Sequence, residues 1–212
     1  MNPADFVRAH TVIGYAPLVP EIRLHLATEI TPIWQASETW LERSGVAPPF
    51  WAFAWPGAQA LARRVLDQPA LVRGRTVLDF AAGGGLAAIA CAMAGARAEA
   101  AEIDPVALAA TAANAALNGV AVTALDGDVV GADGHWDLIL CGDVCYEAPM
   151  TRHILPWLRR LSRDAEVWVA DPGRAYLPTD GMEALATYDV PTTLELEDRT
   201  MRRTTIYRLR PG

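Results

Sequence analysis

Residues 77–89 read VLDFAAGGGLAAI: an apolar run, three adjacent glycines and a second apolar run. The pattern predicts a strand over Thr76 to Phe80 and a helix from Leu86 to about Ala94. Gly83, Gly84 and Gly85 lie between them, where glycine permits a tight turn and a close approach of backbone to a ligand. Read literally, Gly83-x-Gly85-x-x-Ala88 fits the dinucleotide fingerprint, and Glu102, 19 positions after Gly83, is near the spacing of a ribose-binding acid.

Outward from this loop the pattern stays regular. A helix is predicted over Ala58 to Asp67, a strand over Ala98 to Ile103, and a helix over Pro105 to Asn118 with Asp104 as N-cap and proline at its first position. Strands follow at Ala121 to Leu125, Trp136 to Cys141 and Val167 to Ala170, with a helix near Arg152 to Leu161 between the last two. The tail offers strands near Ala186 to Val190 and Thr204 to Leu209. Alternating strands and helices predict a doubly wound α/β domain, a parallel sheet covered on both faces. Its ligand site belongs beyond the carboxyl ends of the strands.

The segment before Pro56 differs in character. It holds four of the seven tryptophans and is broken by prolines at 17, 20, 32, 48 and 49. Helices are expected from Glu21 to about Ala27 and from about Ile33 to Arg43, the second ended by Gly45. The expected organisation is a helical and aromatic cap over residues 1–55 and a Rossmann-like domain over 56–212.

Composition narrows the function classes. A chain of 212 residues, 52% apolar and 20% charged, builds one real core. Its net charge of -7 and lack of a basic stripe argue against nucleic acid and favour cationic partners. Cys91, Cys141 and Cys145 form no CxxC pair, and the four histidines are scattered, so no metal site is expected. The N-terminus MNPADFVRAH lacks the apolar core of a signal peptide and carries Asp5. The uncharged stretch 80–96 is shorter than the ~20 residues of a span, and 105–125 is interrupted by Thr111, Asn114 and Asn118. The expectation is a soluble, cytoplasmic protein with no membrane segment.

Electrostatics separates the cofactor classes. Asp79 ends the first strand four residues before Gly83, so a carboxylate there repels a pyrophosphate and suits a cation. Asp128 and Asp143 follow later strands and add negative potential at the same sheet edge. S-adenosylmethionine carries a sulfonium and an ammonium and no phosphate, so it fits better than a nicotinamide dinucleotide; its product is S-adenosylhomocysteine. Glu102 is the expected acceptor for the ribose hydroxyls and Ile103 the expected packing surface for adenine. Asp128 reads equally as a partner of the adenine amino group or as a turn residue after Gly127.

DFAAGGG followed by AEIDP resembles the glycine-rich loop and second-strand acid of the seven-β-strand methyltransferases. PFWAFAWPGAQAL (49–61), EIDP (102–105), WDLILCGDVCYE (136–147) and ADPGR (170–174) together resemble the protein-lysine methyltransferases that modify the β-subunit of electron transfer flavoprotein. VPEIRLHLATEITPIW (19–34) is similar to that family's N-terminal segment, so the resemblance covers about residues 19–175. It implies a Rossmann-like, seven-stranded class I methyltransferase fold, S-adenosylmethionine as cofactor and the flavoprotein β-subunit as substrate. Related groups act on ribosomal proteins or small amines. Position 81 departs from the pattern, with alanine where the family usually has the first loop glycine. The extra methyl tightens the turn or weakens cofactor affinity, and it leaves a non-catalytic, cofactor-binding relative as an alternative reading.

Methyl transfer to lysine needs the neutral amine, and with a pKa near ~10.4 that form costs about 4.6 kcal/mol at pH 7. Burial of the amine and a nearby proton acceptor lower that cost. Gly142 and Asp143, followed by Tyr146 and Glu147, supply candidate groups at the end of the fourth strand of the domain. Asp143 is expected to orient the amine and Tyr146 to shape its channel, while Glu147 reads as a further acid or as a solvated helix start. Trp51 and Trp55 read as an aromatic lid, or Trp55 and Gln59 close over the methionine end of the cofactor. Arg174 reads as a partner of Asp171 or of an acidic part of the substrate.

Overall fold

The computed structural model describes residues 2–28, 49–194 and 196–211. The helix expected over 33–43 lies outside them. In chain order the described elements are α1 (Pro3–His10), β1 (Val12–Ala16), β2 (Val19–Leu26), α2 (Pro56–Asp67), β3 (Thr76–Phe80), α3 (Leu86–Met93), β4 (Arg97–Glu102) and α4 (Pro105–Leu117). They continue with β5 (Thr123–Asp126), β6 (Leu138–Gly142), α5 (Ala148–Leu161), β7 (Glu166–Asp171), β8 (Met182–Pro191) and β9 (Met201–Leu209).

Seven strands form one sheet in the order β5-β4-β3-β6-β7-β9-β8. β3 to β7 run parallel, and β9 lies antiparallel between β7 and β8. The chain starts in the middle at β3, moves outward through β4 and β5, then returns to the other side of β3 as β6. That reversal between β3 and β6 is the switch point where loops diverge and a ligand crevice opens. In register, Phe80 faces Ala101 of β4 and Cys141 of β6, so the three carboxyl ends are level.

Strand alternation splits the core between the two faces. Leu138 and Leu140 pack with Leu61, Val65, Ile89 and Trp168 on the α2 and α3 side. Ile139 and Cys141 pack with Leu78, Ile154, Leu158 and Val167 on the α5 side. β3 is buried at all five residues, as expected of a central parallel strand with both faces covered. The helix starts follow their local chemistry: Asp104 accepts from the Val106 amide at 2.8 Å, and Pro105 opens α4.

The N-terminal segment corrects the sequence reading. Of the residues expected to form a helix from Glu21 to about Ala27, those from Glu21 to Leu26 lie in strand β2, paired antiparallel with β1. From Ile22 onward the apolar residues recur every second position; Ile22 and Leu24 are buried while Arg23 points outward. Period two is the strand signature, and it overrides the helix-forming Glu, Arg and Leu content. An additional short helix, α1, precedes this hairpin and packs Phe6 and Val7 on Val106, Ala107 and Ala110 of α4. Ala16, Val19, Ile22 and Leu24 belong to the same apolar cluster as α2 and α3, so this segment shares the core of the sheet.

Candidate active site

The cofactor-side loop is built from backbone in the left-handed region. Ala81, Gly83 and Gly85 have φ of 53°, 55° and 77°. Glycine takes these angles freely, whereas an L-alanine is strained by roughly 1–2 kcal/mol. Ala81 therefore adopts the loop turn that glycine would make, with its methyl against the α5-side core. The next turn is closed by the Gly85 amide donating to the Ala82 carbonyl at 2.8 Å.

Glu102, at the carboxyl end of β4, braces the loop. One oxygen accepts from the Gly83 amide at 3.0 Å and the other from the Ile103 amide at 2.8 Å. Beside it Ile103 is 67% exposed, an apolar surface next to an acid. Asp79 takes a different task from the one expected. It is 4% exposed, and its carboxylate accepts from the Ala88 amide at 2.9 Å in the first turn of α3. Burial pushes its pKa up to about 7, against the Ala88 hydrogen bond and with a smaller push from Glu102. Its position is that of a helix-capping acid beneath the loop.

Two residues missed as site residues hold the loop from the far side. The Thr111 hydroxyl donates to the Gly83 carbonyl at 3.0 Å and the Asn114 amide to the Gly84 carbonyl at 2.9 Å. Both side chains are 1% exposed, and Asn114 also accepts from the His25 amide of β2 at 2.7 Å. The available signal was a pair of polar residues three apart on an alanine-rich helix, which places them on one face. A Cβ on Gly85 would lie 2.6 Å from Thr111, and one on Gly84 would lie 2.9 Å from the Trp51 carbonyl, so both glycines are required by close approach.

The acceptor side begins where two motifs far apart in sequence meet. A Cβ on Gly57 would sit 2.5 Å from the Asp143 carboxylate and 2.6 Å from the Ala170 carbonyl. A Cβ on Gly142 would sit 2.9 Å from the Ala58 nitrogen. WPG (55–57) and GD (142–143) thus pack backbone to backbone, placing the N-terminus of α2 against the end of β6. Asp143 has φ 57° and is 8% exposed. One of its oxygens accepts from the Gly57 amide and the other from Arg174 at 2.9 Å. Burial pushes its pKa up to about 6, and the Arg174 charge and hydrogen bond together with the Gly57 amide hold it from going higher. Both oxygens are engaged inside the protein. The expected role of meeting the amine directly gives way to that of fixing the loop.

Tyr146 and Glu147 lie on the outer part of the same loop, both exposed. The Tyr146 ring lies 5.8 Å from that of Phe50, which also meets Trp55 at 5.9 Å. Tyr146 therefore joins an aromatic cluster with Phe50 and Trp55, whereas Trp51, the other expected lid residue, is 3% exposed and buried with Phe6 and Val106; Glu147 precedes α5 without a side-chain cap bond. Trp55 donates to the Phe50 carbonyl at 2.8 Å. Gln59 is not part of an open face: it is 1% exposed, accepting from the Leu18 amide at 3.2 Å and donating to the Ala54 carbonyl at 2.7 Å. It is a strut between the β1–β2 turn and the lid. Asp128 takes the turn alternative, accepting from the Val130 amide at 2.9 Å and pairing with His153 at 2.9 Å.

The family model described as ribosomal protein L11 methyltransferase (PrmA) matches residues 59–144. The electron transfer flavoprotein beta subunit lysine methyltransferase of Xenopus laevis is 37% identical, over 99% of this chain and 87% of the relative. The protein of the same name from Danio rerio is 34% identical, over 93% and 79%. Magnesium protoporphyrin IX methyltransferase from Synechocystis PCC 6803, solved with bound S-adenosylmethionine, superposes with a TM-score of 0.54 at 18% identity, covering 84% of this chain and 92% of that one. That likeness establishes the class I, Rossmann-like methyltransferase fold.

Proposed function

This chain belongs to the electron transfer flavoprotein β-subunit lysine methyltransferase family, and on that premise we propose that it moves the methyl group of S-adenosylmethionine onto a lysine of that β-subunit. The observation that carries the reading is the meeting, at adjacent strand ends, of a glycine loop braced by Glu102 and an acid-bearing loop under an aromatic lid.

The residues present fit the cofactor. The loop at 81–85 is tightly turned and narrow, Glu102 and exposed Ile103 stand together at the end of β4, and the surrounding charges are acidic. When bound, the cofactor supplies an electrophilic methyl on a sulfonium. In this reading Glu102 accepts from ribose hydroxyls while it keeps Gly83 in place, and Ile103 covers an adenine face. Asp79, bound to the first turn of α3, and Asp143, bound to the Gly57 amide at the start of α2 and to Arg174, bring acidic groups to the sulfonium side.

On the acceptor side, a negative charge draws a lysine in but also raises its pKa, so burial must supply the neutral amine. The aromatic residues Phe50, Trp55 and Tyr146 provide that desolvation, and the loop that carries Tyr146 and Glu147 is held by Asp143. Glu147, exposed at the loop's outer end, is the group available to take the released proton to solvent.

Incubation with labelled S-adenosylmethionine and cell extract, followed by identification of the labelled protein, tests the reading. Label on the flavoprotein β-subunit supports it. Label on a ribosomal protein or a small amine transfers the reaction to that substrate. Cofactor binding without any label would favour a binding module, the role that Ala81 invites.

A further inference from the structure

The ADPGR stretch and the connection between β8 and β9 have no part in the chemistry above, yet both converge on one guanidinium. Asp171 is 1% exposed, and its Oδ1 accepts from the amides of Gly173 at 2.7 Å and Arg174 at 2.6 Å. This local turn, with Gly173 at φ 89°, sends the Arg174 side chain back across the sheet edge. Arg174 Nη2 donates to Asp143 Oδ1 at 2.9 Å and to Glu197 Oε1 at 2.7 Å. Its guanidinium carbon lies 5.8 Å from the centre of the Trp55 ring.

Glu197 is the unusual member. It belongs to a hairpin connection at the edge of the molecule, where a glutamate ordinarily stays in water, yet it is 6% exposed. Its second oxygen accepts from Arg202 Nε at 3.0 Å and Nη2 at 2.7 Å. A carboxylate is taken out of water only where charged partners replace the lost hydration. Arg174 and Arg202 are those partners. Trp55, Asp143, Arg174 and Glu197 thus come from four separate segments to one cluster.

We propose that Arg174 is a positioning residue for the acceptor loop, and that Glu197 holds Arg174 so that the β8–β9 connection sets the geometry in which the substrate lysine is received. This rests on the methyltransferase reading. Asp143, in a backbone conformation unusual for an aspartate, is gripped from one side by the Gly57 amide and from the other by Arg174. The charged groups around it are Arg174, Asp171 and, beyond Arg174, Glu197. Without Arg174 two buried carboxylates lose their shared cation, and the loop bearing Tyr146 and Glu147 relaxes.

Arg174→Met, Arg174→Lys, Glu197→Gln and the double variant Arg174→Met/Glu197→Gln test this, with melting temperature, turnover and cofactor affinity measured on each preparation. The double variant removes the unpaired charge at position 197 should Arg174→Met alone fail to fold. Arg174→Met is expected to lower kcat by about 30-fold or more while cofactor Kd moves by less than about threefold, because the interaction serves the transition state and not cofactor binding. Arg174→Lys should recover part of the loss, and Glu197→Gln should cost about fivefold. Turnover within about twofold of wild type in Arg174→Met and the double variant, or cofactor affinity falling in step with turnover, would overturn the proposal. A carbon-13 NMR titration of Asp143 without cofactor gives a readout independent of activity. Its midpoint should rise in Arg174→Met, where burial acts unopposed, and fall in Glu197→Gln, where Arg174 is left wholly to Asp143. Failure of the wild type to methylate any protein would count against the methyltransferase reading alone. The titration then decides the positioning claim, and an unmoved midpoint in Arg174→Met contradicts it.

Discussion

On one side of the switch point the glycine loop is held by short-range partners: the carbonyls of Gly83 and Gly84 are taken by Thr111 and Asn114, and Glu102 and Asp79 accept from amides of the loop and of α3. On the other side the acceptor loop is held by buried charges, Asp143, Arg174, Glu197 and Arg202 in sequence. The first set of partners lies within residues 79–114, whereas the second spans 143–202. A turn caged by amides and hydroxyls has one geometry and little sensitivity to its electrostatic surroundings. A loop held by ion pairs depends on every partner, since removing one leaves another charge buried. The glycine loop is thus held mainly by local partners, and the Asp143 loop by a relay of distant charges.

The largest expected effect lies at the joint between the halves. In Gly57→Ala the added methyl meets Asp143 and the Ala170 carbonyl, which are rigid neighbours at 2.5 and 2.6 Å. Unfolding in denaturant should show a loss of about 3 kcal/mol or more, and turnover should fall with it. An alanine variant of ordinary stability would separate the two motifs that the account joins.

Asp143→Ala comes next. It should reduce methyl transfer by about 10²-fold, roughly 2.7 kcal/mol in the barrier, with cofactor affinity little changed. Parallel loss of cofactor binding in a calorimetric titration would show that the two halves are not separable. Glu102→Ala acts on the opposite side and should weaken adenosylmethionine binding by about 2 kcal/mol, from lost hydrogen bonds to a charged acceptor. Calorimetry with adenosylmethionine and with NAD checks both its size and the choice of cofactor; tight NAD binding would break the electrostatic argument.

The smallest effect sharpens the comparison at Ala81. Its φ of 53° makes Ala81→Gly a relief of strain, stabilising the protein by up to about 1 kcal/mol after the greater flexibility of glycine in the unfolded chain is counted. A lower melting temperature in that variant would mean that the methyl packing on the α5 side outweighs the backbone strain.

The same contrast explains what could be read from the chain. Asp104 before Pro105, the glycine cluster after an apolar strand and Glu102 downstream are local signals, because caps and left-handed turns constrain residue type within a few positions. The acceptor side carried the residues but not their partners. Asp143 and Arg174 both stand out in the sequence, yet no local rule pairs residues 31 positions apart or brings Glu197 to them. The place of Gln59 is hidden for a related reason: its contacts run to Leu18, 41 positions away. The strand character of β2 is masked in the sequence because residues 21–27 contain good helix formers, and the period-two burial emerges once β1 supplies a partner.

The proposed methyl transfer goes to a lysine of another protein, and the chain itself contains no lysine, all 18 of its lysine-plus-arginine residues being arginine. Labelled lysine in a purified reaction must then belong to the acceptor. The direct measurement is incubation of this protein with purified electron transfer flavoprotein β-subunit and labelled adenosylmethionine, followed by mass spectrometry of the β-subunit peptides. The predicted result is methylated lysine in the β-subunit, sharply reduced with Glu102→Ala or Asp143→Ala. An unmodified β-subunit, in a reaction where calorimetry shows the cofactor bound, would contradict the account.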